Sequence, residues 1–160
     1  MWFPLLLILT FFCSPLPDSL PQARVPQAPF TETTNNAFLS GLTERLSYTR
    51  LVGAHYVRAK RAPKLGDGRL VSFSNGANQF TCFTSADNTF TAAFTITRSE
   101  PLLAPLLVLG TEKRTVLHQL GLPRSQDCLQ VINVEGDVLA TLVFQEEKLA
   151  KITFLVDIDG

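Results

Sequence analysis

The chain has little of what catalysis and metal binding usually need. Only two histidines, His55 and His118, and three cysteines occur in 160 residues. Neither histidine has a second histidine or a cysteine at ligand spacing, and no C-x-x-C redox pair is present, so a zinc or dithiol centre is not indicated. Ser40-Gly41 and Ser74-Asn75-Gly76 lack the nucleophile-elbow pattern. No charge excess exists either: 14 Lys and Arg stand against 14 Asp and Glu. That balance removes the global field by which a chain would favour nucleic acid or an anionic membrane. No cofactor motif is present. The densest apolar run, Trp2 to Cys13, falls short of the ~17–25 residues of a membrane-spanning helix.

That run has the length of a secretory h-region. Pro15, Pro17, Pro21, Pro26 and Pro29 follow it and favour extended chain. Residues 1–29 therefore read as a signal-like segment with a proline-rich leader, and the expected location is exported: periplasmic, envelope-associated or secreted. A short N-terminal membrane anchor or a buried apolar segment is the alternative for the same run. Residues 30–160 are left for one domain of about 130 residues, enough for a single modest core. In an oxidising compartment Cys82 and Cys128 would form one long-range disulfide between the two halves of that domain; as buried thiols they would simply pack.

Thr34 to Asn36 supply helix-capping residues, and Phe38, Leu39, Leu42 and Leu46 recur at helical spacing, which predicts a helix from about Asn36 to Ser47. Tyr48–Val57 reads as another helical turn or a strand, and Arg58–Gly68 as a basic loop. The period then becomes two. Strands are predicted around Leu70–Ser74, Gln79–Phe83 and Phe90–Ile96, the first two joined by the turn signal Asn75-Gly76. In the third, Phe90 and Phe94 are expected on one dry face with threonines on the wet one. Leu102–Leu109 is broken by prolines and reads as a packed connector. Glu112–Leu120 is a second short helix stopped by Gly121 and Pro123. Strands at Leu129–Val134, Val138–Phe144 and Lys148–Val156 complete the chain, the last with Ala150, Ile152, Phe154 and Val156 facing one way.

Both halves, 30–100 and 110–160, thus follow the order helix, strand, strand, strand. The expected fold is α+β: two helix-β-β-β units forming one antiparallel sheet, with both short helices packed on one face and Phe90, Phe94, Phe144 and Phe154 turned toward them.

Val116-Leu117-His118-Gln119-Leu120-Gly121-Leu122-Pro123, followed by paired strands and Leu142–Ile152, resembles a pattern in small bacterial envelope proteins. These are the outer-membrane assembly lipoproteins and the secreted beta-lactamase inhibitor proteins. The shared pattern is a helix ending in leucine, glycine, any residue, proline, then strands ending in phenylalanine, a polar turn, leucine and isoleucine. The likeness spans about Val116 to Phe154. It implies two helix–hairpin units with a concave sheet, and binding to another protein or a structural envelope role without catalysis.

Charge is segregated along the chain. Between Glu44 and Arg69 seven basic residues face two acidic ones; between Asp127 and Asp159 seven acidic residues face two lysines. Arg58, Lys60, Arg61 and Lys64 are the densest group and the expected partner-binding residues, suited to a protein with an acidic surface or to peripheral envelope association. No aromatics interleave them, which argues against single-stranded nucleic acid. The alternative is a small-ligand carrier or enzyme with a cavity lined by Phe73, Phe80, Phe90 and Phe94, with His55 or His118 in it. Asp157-Ile158-Asp159 offers two carboxylates but not the spread of ligands that an EF-hand loop needs. It reads as an acidic terminus.

Overall fold

The computed structural model describes residues 32–120 and 127–157. The signal-like segment 1–29, the Gly121-Leu122-Pro123 helix stop and the acidic terminus beyond Asp157 lie outside the described residues. Within them the chain is α+β. Helix α1 (Glu32–Arg45) is followed by α2 (Tyr48–Gly53), two very short strands β1 (Val57–Arg58) and β2 (Lys64–Leu65), then β3 (Gly68–Asn75), β4 (Asn78–Thr84) and β5 (Thr89–Ile96). A 3-10 turn at Pro101–Leu103, helix α3 (Lys113–Gln119), β6 (Cys128–Ile132), β7 (Val138–Gln145) and β8 (Lys148–Val156) complete it.

All eight strands belong to one antiparallel open sheet in the order β1-β3-β4-β5-β8-β7-β6, with β2 also paired to β3. Two meanders, β3-β4-β5 and β6-β7-β8, meet at their last strands, β5 against β8. The helices lie against the sheet, α1 on β6 and β7, α2 on β5 and α3 on β8.

Cross-strand register explains the core. Phe73, Phe80, Phe94, Phe154, Ala140 and Val131 stand directly opposite one another on six successive strands. All six are buried, beneath Phe38, Leu39, Leu42 and Leu46 of α1, Leu51 of α2, and Val116 and Leu117 of α3. Phe94 and Phe154 stack with ring centroids 4.9 Å apart. One sheet face is thus closed by helices and, among the described residues, no helix lies on the other, as period-two strands with one dry face require.

α1 begins four residues ahead of Asn36, because neither proline nor glycine interrupts Glu32–Asn35. Asn35 accordingly does not cap the helix. Its buried side-chain amide donates to the Ile132 carbonyl on β6 at 3.2 Å, satisfying an outward-facing backbone acceptor on an edge strand.

Two β-bulges correct the expected facing. Thr81 pairs with Ala93 but Cys82 pairs with Thr91, so Ala92 is the extra residue in β5. Phe80 opposes Phe94 and Phe83 opposes Phe90. Phe80 and Phe83 are three residues apart on a period-two strand, so Phe90 is turned to the open face while Phe94 stays in the core. Phe90 stacks there on Phe83 at 5.2 Å. In β8 the shift between Val143 and Phe144 makes Ala150 the extra residue, and Leu149 joins Ile152 and Phe154 on the covered face instead.

The expected Cys82–Cys128 disulfide is absent. Both thiols are free. Cys82 lies on the covered face of β4, whereas Cys128 pairs with Val143 on the open face of β6. Strands β5, β8 and β7 separate them, about 19 Å at the usual strand spacing, against the ~4.4–6.8 Å between α-carbons that a disulfide spans.

Candidate partner-binding edge

The basic segment is not a free loop. Val57 and Arg58 pair with Ser74 and Phe73, Lys64 and Leu65 pair with Arg69 and Gly68, and the chain between stays close to β3 through Ala59 N to Ser72 O and Leu70 N to Pro63 O, both 2.9 Å. It follows the outer edge of the sheet. Gly66, at a φ of +57°, makes the tight return, and Gly68 is obligatory for another reason. A β-carbon at Gly68 would sit 2.3 Å from the Phe83 ring.

This path holds Arg58, Lys60, Arg61 and Lys64 in solvent, together with Arg69. Lys64 and Arg69 stand directly opposite each other, an arrangement that destabilises a strand pair. Among the described residues no carboxylate lies within 4.0 Å of any of the five; the ion pairs present are those of Lys113 with Asp127 and Glu147. The four residues singled out from sequence are therefore brought together on one edge, and Arg69 joins them. Sequence reading missed Arg69 because its place opposite Lys64 depends on the tight turn, although Gly66-Asp67-Gly68 was its visible signal.

Next to this edge is a shallow cleft of about 390 Å³, lined in part by His55, Tyr56, Ser74, Asn75 and Leu102. Its wall is the end of α2. Tyr56 N reaches Leu51 O at 3.3 Å and His55 N reaches Val52 O at 3.1 Å, the two bonds of a Schellman motif. His55 occupies the position normally given to glycine, with a φ of +59°. Behind the cleft, Glu100 is 5% exposed and accepts from the Tyr56 hydroxyl, from Asn78 Nδ2 at 3.2 Å and from Leu102 N at 3.2 Å. Asn78 Oδ1 in turn accepts from Thr97 N and Arg98 N. Burial, then the hydrogen bond and charge of Glu100, push the Tyr56 phenol well above its ordinary range. Tyr56 is thus a protonated donor that ties the cleft wall to the Thr97–Leu102 segment. Glu100 and Asn78 were not legible as a pair, since they meet only across the β4 hairpin.

The groups considered for catalysis are dispersed. His55 and His118 are both exposed, on α2's end and on α3. Burial pushes the Cys82 thiol up to about 11 and the Cys128 thiol upward as well, so neither is a thiolate near neutral pH. Phe73, Phe80 and Phe94 fill the core side by side, and Phe90 is on the other face, so the four do not line one cavity. Among the described residues no group of three His, Cys, Asp or Glu side chains could hold a metal ion, and no helix is long and apolar enough to cross a membrane. Comparison with family models, with curated proteins and with solved structures finds no match for this chain.

Proposed function

We propose that the chain is an exported module that binds another protein through its basic sheet edge and performs no catalysis. The observation that carries this reading is the set Arg58, Lys60, Arg61, Lys64 and Arg69, exposed and without a carboxylate partner among the described residues. Folding alone favours pairing such charges or spacing them apart; here Lys64 and Arg69 are set face to face at a cost in stability. An acidic partner surface recovers that cost and accelerates encounter. Arg58 and Lys64 on the two short edge strands also discourage strand addition by other chains, so the partner engages this edge through side chains. Export rests on the apolar run and proline-rich leader, and an envelope setting on the likeness of the second half to the envelope proteins described above.

The test is affinity capture from the exported fraction with the parent and with a triple variant, Arg58→Gln, Lys60→Gln and Arg61→Gln. A protein retained by the parent at physiological salt and lost with the variant supports the reading. No enriched protein, or equal retention by both, rejects it.

A further inference from the structure

The open face of the sheet is almost free of charge. Among the described residues, the side chains that β3 to β8 turn to it include only two ionised groups, Lys148 and Lys151, both near the β7–β8 turn. Solvent-facing surfaces commonly carry about a quarter to a third charged residues, whereas depletion of charge marks the core of a protein interface. Two cross-strand rows form the centre of this face. One runs Ser72, Thr81, Ala93, Leu155, Leu139 and Ile132; the other is made of serine, threonine and glutamine, from Ser74 to Gln130. Leu155, on a central strand, is 55% exposed. Phe83 and Phe90 extend the apolar surface toward β3.

The geometry points to a second copy of this chain on the open face, sheet against sheet about a twofold axis. Six strands spaced ~4.8 Å apart and about 25 Å long present a projected face of about 600 Å², and side-chain relief enlarges its accessible area toward the ~800 Å² per partner of a standard stable interface. Charge selects the axis. An axis across the strands would lay one basic edge on the other. An axis parallel to the strands, between β5 and β8, keeps the two basic edges at opposite sides of the pair, where Arg58, opposite Phe73, and Lys64 and Arg69, in the register of Val71 and Phe73, lean to the helix-covered side. It also sets Leu155 of each copy over Ala93 of the other, a large side chain against a small one.

Sedimentation equilibrium on the exported chain, expressed from its full sequence, tests the assignment. The expected result is twice the monomer mass at micromolar concentration and a return to monomer in Leu155→Arg, with the melting transition of the monomer retained because the side chain faces solvent. Thr153→Lys, on the same face, repeats the test should Leu155→Arg fail to fold. A parent that stays monomeric into the submillimolar range overturns the assignment, whether the face is then covered by the segment before Glu32 or by an unrelated protein. A dimer that survives both substitutions overturns it too. A monomeric parent that still captures an acidic protein in the charge-dependent way described above overturns only the second copy and leaves the basic edge as a partner-binding site.

Discussion

Phe90 and Phe94 lie four residues apart on one strand and on opposite faces of the sheet, because Ala92 is an extra residue between them. The bulge also turns Thr91 inward, where its hydroxyl donates to the Leu46 carbonyl at 3.0 Å. That bond satisfies a buried acceptor at the end of α1. Thr91→Val keeps the shape of the side chain and removes the donor, leaving that carbonyl stranded. A stranded buried acceptor costs about 1–3 kcal/mol. Urea unfolding should therefore show a loss of that order; parental stability in Thr91→Val would mean that the inward turn of Thr91 contributes nothing to holding the end of α1.

The same strand marks where sequence stops being sufficient. Period two in Thr89–Ile96 identifies a strand whether or not one residue is looped out, and the pair Ala92-Ala93, too small to announce a face, was the only hint. The main strands and the α+β class were legible because alternation and turn residues are local. Strand order is not local. Cys82 and Cys128 looked equally fit to bridge the halves, and only the meeting of the two meanders at β5 and β8 puts four strand spacings between them. β1 and β2 are two residues each, too short for any period. Arg58, Lys60, Arg61 and Lys64 were legible as a group because density of charge needs no tertiary information, while Glu100 with Tyr56 and Asn78 was not.

The thiols give a prediction at alkaline pH. In the folded chain the Cys82 pKa is about 11, raised from 9.0 by burial, so the unfolded chain releases this proton first. Its contribution to stability is complete below pH ~9, the unfolded value, and is lost as pH rises through about 11. The Tyr56 phenol is also raised, which extends the decline above pH ~10. Unfolding free energy should fall over this range. Cys82→Ala should lower stability at neutral pH by leaving a small cavity but flatten the fall between pH ~9 and ~11. An unchanged slope in that variant would show that the Cys82 proton is not linked to folding. Alkylation under native conditions should label Cys128, half-buried on an edge strand, ahead of Cys82.

The β7–β8 hairpin is built against local preference. Glu146 and Glu147, its two central residues, both have positive φ, at +50° and +59°. Two-residue hairpins of this kind favour Asn-Gly, since left-handed backbone costs other residues roughly 1 kcal/mol each. Glu147 gives something back through Lys113 at 3.5 Å, but its side chain is 78% exposed and such a pair contributes less than ~1 kcal/mol. The double substitution Glu146→Asn and Glu147→Gly should raise stability by about 1 kcal/mol in chemical denaturation. A loss of stability would mean that the Lys113 contact outweighs the backbone strain.

Lys64 separates what the basic edge does for the fold from what it does for a partner. It stands opposite Arg69 with no acidic neighbour within 4.0 Å among the described residues. Lys64→Glu converts a like-charge cross-strand pair into an opposite one, worth about 0.2–1 kcal/mol in an antiparallel pair, and both side chains are exposed, so no cavity or buried charge is created. Stability should rise by a few tenths of a kcal/mol, and by less at high salt, where screening weakens the new pair. Binding should respond in the opposite sense. Two units of charge are removed from the edge, so association with an acidic surface slows, and the deficit shrinks as ionic strength rises while dissociation changes little. Association rates measured for parent and variant at low and high salt, beside their urea unfolding curves, read both effects. A variant that is more stable and slower to associate assigns the unpaired cations to recognition. A variant that is less stable would instead place Lys64 in the fold's own interactions, and one that associates as fast as the parent at low salt would remove it from the binding edge.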